Sequence, residues 1–252
     1  MRHLLLLLST LLLSVTSCQS QTSATSVADK HIERGNALSE KGDLDGAIVE
    51  FDKAITLNPN EAFYYYNRGN AQRDKGNFNS AIYDYDKALA LKLEVPEVYN
   101  NRGNARMEKE DFDGAILDYD KAIALKPDHA NAYNNRGYAQ QQKGSIDEAH
   151  ADYEKAIVIN PSDAYFYNNR GSVRRIKGDL SGALADINKS ITLDPKNAEA
   201  YCNLSLVQLS QHNSLEANRN LRKCYDLDAK LRPKFEKVAD DIKNKQSRWL
   251  RW

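Results

Sequence analysis

The sequence predicts an all-α chain in which one helical hairpin is copied six times. Three observations carry that prediction. Gly35, Gly69, Gly103, Gly137 and Gly171 fall 34 residues apart, and a fixed spacing of this size marks a repeat array. Arg34, Arg68, Arg102, Arg136 and Arg170 keep the same step, as do Ala47, Ala81, Ala115, Ala149 and Ala183. Within each copy the apolar residues follow a helical period, and Gly and Pro recur where helices would end.

The N-terminal segment reads as an address. Met1-Arg2-His3 is a short basic start, and residues 4–8 and 11–13 are all leucine. The run is shorter than the roughly 20 apolar residues a membrane-spanning helix needs, and it has the length of a secretory core segment. It closes with Val15-Thr16-Ser17-Cys18, which resembles the bacterial lipobox. The resemblance implies a lipoprotein signal peptide over 1–17, cut before Cys18, whose thiol and new amine would carry acyl chains such as palmitate. Loss of 1–17 removes Arg2 and no acid. The mature charge is then near −1, so acyl chains rather than electrostatics would hold the membrane. Gln19 is not the Asp that retains lipoproteins at the inner membrane, so the expected location is the bacterial envelope, with the periplasmic side of the outer membrane favoured. Residues 18–27 are small, polar and otherwise uncharged, a flexible tether.

The hairpin copies follow, over 28–61, 62–95, 96–129, 130–163, 164–197 and a degenerate 198–231. In the third copy Phe112, Ala115, Ile116, Tyr119, Ala122 and Ile123 lie on one helical face. First helices should stop at Gly42, Gly76, Gly144 and Gly178 in a left-handed cap, with Glu110 forced into that place in the third copy. Asp43, Asn77, Asp111, Ser145 and Asp179 are placed to cap the second helices, and Ser145 with Glu148 has capping-box spacing. Pro59, Pro127, Pro161 and Pro195 forbid continuation of the second helices.

Tyr99-x2-Arg102-Gly103, Ala115-x3-Tyr119 and Pro127 resemble the tetratricopeptide repeat. The resemblance implies an α-α superhelix, a solenoid of six helix-turn-helix repeats, with a groove lined by the first helices. Arg stands where the family usually has Leu before the Gly, and the last repeat has Leu204-Ser205 instead of Arg-Gly. Leu231, Phe235, Val238 and Ile242, continued by Trp249, share one face, so 232–252 is similar to the family's C-terminal capping helix with a tail.

Charges also recur. The five Arg residues keep step with Glu50, Asp84, Asp118, Asp152 and Asp186, which predicts an ion pair between the two helices of each repeat. Asn67, Asn101, Asn135, Asn169 and Asn203 form another series, and Asn36, Asn70 and Asn104 lie three places along the first helices. In the family these positions face the groove. Carboxamides offer donors and an acceptor to an extended peptide backbone, so the expected peptide-binding residues are Asn36, Tyr66, Asn67, Asn70, Asn101, Asn104, Asn135, Tyr138, Asn169 and Asn203. The same series could instead bond only between neighbouring repeats. Phe63, Met107 and Arg175 occupy further groove positions. The subfamily that grips chaperone C-termini needs Lys where this chain has Ile32 and Glu97.

Other functions are disfavoured. Lys+Arg and Asp+Glu both number 35, and a neutral chain is a poor nucleic-acid ligand. The five His and three Cys lack metal-ligand spacing, no phosphate-binding or nucleophile motif occurs, and no cofactor or catalytic residue is expected. Cys202 and Cys224 sit on the two helices of the last repeat; a disulfide between them is conceivable in an oxidising periplasm, although their repeat positions suggest different faces. The expected function is a non-enzymatic, lipid-anchored interaction scaffold holding a partner protein or extended peptide in its groove. Pilus-assembly pilotins and adaptors of peptidoglycan hydrolases are similar in architecture. The alternative is a self-associating structural or assembly lipoprotein.

Overall fold

A computed structural model describes residues 27–249, with side chains through residue 245. The signal segment, Cys18, the tether to residue 26 and the Trp249 side chain lie outside the described side chains. The described residues are helical with short turns and contain no strand. They divide into two compact units between Leu125 and Lys126.

The first unit holds α1 (27–40), α2 (Leu44–Leu57), α3 (Ala62–Asp74), α4 (Phe78–Ala90), α5 (Pro96–Met107) and α6 (Phe112–Leu125). The second holds α7 (Ala130–Lys143), α8 (Ile146–Ile159), α9 (Ala164–Ile176), α10 (Leu180–Leu193), α11 (Ala198–Ser210) and α12 (Ser214–Leu227). A 3-10 turn at Ala229–Leu231 then leads into α13 (Arg232–Trp249). From α2 to α12, successive helices within each unit pack on one another, and α13 packs on α11. First helices also meet, α3 with α5 in one unit, α7 with α9 and α9 with α11 in the other.

The first four hairpins close because glycine faces an aromatic ring, and in the fifth Gly171 faces Ile187. Phe51, Tyr85, Tyr119 and Tyr153 are fully buried. A Cβ on Gly35 or Gly103 would fall 2.4 or 2.7 Å from the ring opposite, inside van der Waals contact. Alanines such as Ala47, Ala81, Ala115 and Ala149, all at zero exposure, complete this close seam. Each buried ring contributes on the order of 2 kcal/mol.

Gly42, Gly76, Gly144 and Gly178 adopt positive φ at the ends of first helices, and Glu110 and His212 take the same place at φ 60° and 62°. A side chain there is strained, as expected for Glu110. Asp43, Asp111 and Asp179 accept from the backbone N–H of Gly46, Gly114 and Gly182. The capping box does not form, because the Ser145 side chain makes no cap hydrogen bond. Asn77 makes none either and donates to Gln72.

The last repeat is closed covalently. Cys202 on α11 and Cys224 on α12 form a disulfide, with Cα atoms 5.3 Å apart. This corrects the expectation that they point to different faces. Both lie in the seam between the two helices and are fully buried. Phe235 and Ala239 of α13 pack against this cluster with Leu206 and Leu209, and Leu231, Val238 and Ile242 support them. The cap thus covers apolar surface that the last hairpin would otherwise expose.

Candidate functional site

Two polar networks hold the first helices in place. In the first, Arg68, Arg102, Arg136 and Arg170 each grip an Asp of their own repeat with two donors. For Arg102 the distances to Asp118 are 3.0 and 2.5 Å, and for Arg170 to Asp186 2.8 and 2.7 Å. The carboxylates are buried and the guanidinium groups half-buried. The hydrogen bonds from Arg68 to Asp84 hold that guanidinium above its usual range, while burial pushes the Asp84 carboxyl up against the pull of Arg68. The first repeat departs from the pattern, since Glu50 takes His31 and Lys53, each at 2.6 Å.

Sequence reasoning missed how far this network extends. Arg68 also reaches Asp52 at 2.6 Å, and Arg102 reaches Asp86 at 2.5 Å, both in the preceding repeat. Arg106 adds a contact to Asp118 at 2.8 Å, and Arg174 one to Asp186 at 2.9 Å. Arg68, Arg102, Arg136 and Arg170 each lie over the Tyr three places before, at 5.5 to 5.8 Å for Tyr65, Tyr99, Tyr133 and Tyr167. This explains Arg where the family usually has Leu: the guanidinium ties two repeats together and its flat face packs on an aromatic ring.

The second network is the asparagine series. Asn101 donates to Asn70 at 3.0 Å and to the Tyr66 hydroxyl at 3.2 Å. Asn70 also accepts from the Tyr85 hydroxyl, and Asn104 from that of Tyr119, both at 2.8 Å. In the second unit Asn169 donates to Asn134 and Asn203 to Asn168, both at 2.9 Å. Asn135 accepts from Asn134 at 3.3 Å. Burial pushes the Tyr85 and Tyr119 phenols far up, so they remain donors. Much of the hydrogen-bonding capacity of the series is therefore used between first helices or on buried tyrosines. Asn36 and Tyr138 are exposed, and Asn67 is half-buried.

The second unit carries an open cleft with a volume of about 160 Å³. Tyr138, Asn169 and Asn203 of the predicted set line it, with Asn168, which the sequence reading did not single out, Ser172 and Arg175. They come from the first helices α7, α9 and α11, while Lys234, Phe235 and Val238 of α13 form a wall. The Asn169–Asn134 and Asn203–Asn168 bonds fix its floor. Side-chain carboxamides, the hydroxyls of Ser172 and Tyr138 and apolar patches at Ile176 and Leu206 suit an extended polypeptide. Tyr66, Asn67, Asn70, Asn101 and Asn104 lie together in the first unit. Among the described residues no group of His, Cys, Asp and Glu is placed to hold a metal ion.

Comparison with known proteins agrees with this geometry. A family model described as TPR repeat matches residues 35–73, 69–109, 103–144 and 171–211, and one described as tetratricopeptide repeat matches 130–163. No curated protein matches the chain by sequence. Among solved structures it is similar to YrrB, a TPR protein with an unusual peptide-binding site. The identity is 25%, the TM-score 0.57, and the match covers 68% of this chain and 88% of that one. It is also similar to MamA, at 29% identity and TM-score 0.60, over 69% of this chain and 94% of that one. PilF of Pseudomonas aeruginosa shares the fold at 18% identity and TM-score 0.70, over 82% and 94%.

Proposed function

The chain belongs to the tetratricopeptide repeat family, and from that premise we propose that it is a lipid-anchored adaptor of the bacterial envelope whose first-helix faces hold an extended segment of a partner protein. The fold is that of a protein-interaction scaffold and is typically non-catalytic. The observation that carries the peptide reading is the cleft of the second unit. Its floor is fixed by asparagine pairs, its wall is α13, and its lining is mostly polar with apolar patches at Ile176, Leu206, Phe235 and Val238. The peptide-binding site of YrrB, a TPR protein, supports the same reading.

Two features support export and anchoring. One is the apolar N-terminal run ending in Val15-Thr16-Ser17-Cys18. The other is the Cys202–Cys224 disulfide, since such bonds persist in oxidising compartments and are rare in a reducing cytosol.

Binding of the full chain to an array of extended peptides tests the cleft. Ser172→Trp fills its floor and should abolish binding while the helical circular dichroism is kept. Binding equal to wild type would remove the cleft from the account. Labelling cells with palmitate tests the anchor: label should enter the wild-type chain and be lost in Cys18→Ala, and label retained in that variant would refute it.

A further inference from the structure

The cleft of the second unit contains a cation that meets no counter-ion among the described residues. Arg170 and Arg174, on the same helix, both grip Asp186. Arg175, the next residue, lines the cleft instead. Its Nε is sealed from solvent and meets no hydrogen-bond acceptor among the described residues. The one carboxylate in the described lining, Glu199, is held by Lys234 at 3.0 Å. Burial pulls the Arg175 guanidinium down, and no described acidic group opposes it.

A purely structural role accounts poorly for this arrangement. Arg175 lies in the last turn of α9, where a cation gains a modest attraction from the helix terminus. A sealed donor without an acceptor costs more than that attraction returns. A water molecule could satisfy the N–H but would leave the charge uncompensated. What completes the site is an anion with a planar, two-oxygen face, which fits the guanidinium fork.

We propose that this cleft binds an extended peptide through a carboxylate, from an acidic side chain or a chain terminus, seated on the Arg175 guanidinium. This deepens the peptide reading given above and rests on it. Gln141, Gln142 and Ser172 lie beside Arg175 and can bond the peptide backbone, while Ile176 and Leu206 offer apolar contact to a neighbouring side chain. The site is distinct from the lysine positions that Ile32 and Glu97 occupy in the first unit.

The test uses three hexapeptide pools with the full chain: one with a free C-terminal carboxylate, one amidated and neutral, and one amidated with an internal Glu. Affinity and the NMR shift of the Arg175 Nε–H are read together. At least one carboxylate pool should bind about tenfold or more tighter than the neutral pool, the size expected of a charge-assisted paired hydrogen bond. It should also move the Arg175 resonance, and which pool does so identifies the source. Arg175→Gln should lose that preference, and Arg175→Lys should recover part of it. Arg175→Met should raise the melting midpoint while losing the preference, which a structural arginine would not do. Equal binding of acidic and neutral pools, unchanged in Arg175→Gln, would overturn the proposal and leave the peptide cleft standing. No binding of any pool would overturn both.

Discussion

Reducing the Cys202–Cys224 bond should loosen the last repeat and nothing else at first. The two cysteines are 22 residues apart in sequence. Closing a loop of that length in the unfolded chain stabilises the fold by about 3 kcal/mol. One kcal/mol moves the midpoint of a chain this size by roughly 2–4 °C, so reduction should lower it by roughly 6–12 °C. The bond also anchors the cluster beneath α13, where Phe235 and Ala239 pack, so the cap should detach early. The assay is thermal melting followed by circular dichroism, with and without a phosphine reductant, alongside a Cys202→Ser/Cys224→Ser variant that should not respond to it. A thiol titration of the unfolded, unreduced chain supplies the check. At most one thiol, that of Cys18, should react. Three reactive thiols, or a midpoint indifferent to reductant, would refute the reasoning.

Three further outcomes follow from the polar networks. Arg68→Ala should cost about 3–5 kcal/mol, because it strands the buried Asp84 carboxylate, whereas Arg102→Ala should cost less because Arg106 still holds Asp118; equal losses in urea melts would contradict this. Asn203→Ala should cost about 1–3 kcal/mol, since the buried Asn168 carbonyl oxygen loses its donor, and an unchanged urea midpoint would show that the bond contributes nothing. Hydrogen bonds from His31 and Lys53 hold the Glu50 carboxyl below its ordinary 4.5. That stabilisation is present above about pH 4.5 and lost as pH falls through the lower folded-state value. Glu50→Gln should therefore flatten the acid limb of the stability curve, and an unchanged limb would count against the pairing.

The fold was readable because a repeat states the same instruction several times. The step of 34 places Gly103 against Tyr119 and Arg102 against Asp118 without knowledge of the third dimension. Contacts between repeats were harder, since Arg68 with Asp52 and Asn101 with Asn70 depend on how hairpins stack. Ser145 has the spacing of a capping box but makes no cap bond, so spacing alone is insufficient there. Cys202 and Cys224 were misjudged because helix positions were compared singly, whereas pairing depends on the seam that α11 and α12 share. Arg175 was visible only as a groove position. That it meets no counter-ion among the described residues could be learned only after the other arginines of α9 had found theirs.

The first-helix face of the second unit is the surface on which the functional account rests. A photoreactive side chain placed at residue 172 in the cleft, and separately at residue 158, where Val158 is 79% exposed on α8, compares that face with the outer one in living cells. The account predicts a discrete crosslinked partner from residue 172, lost when a binding peptide is supplied in excess, and none from residue 158. A partner captured from residue 158 alone would contradict it.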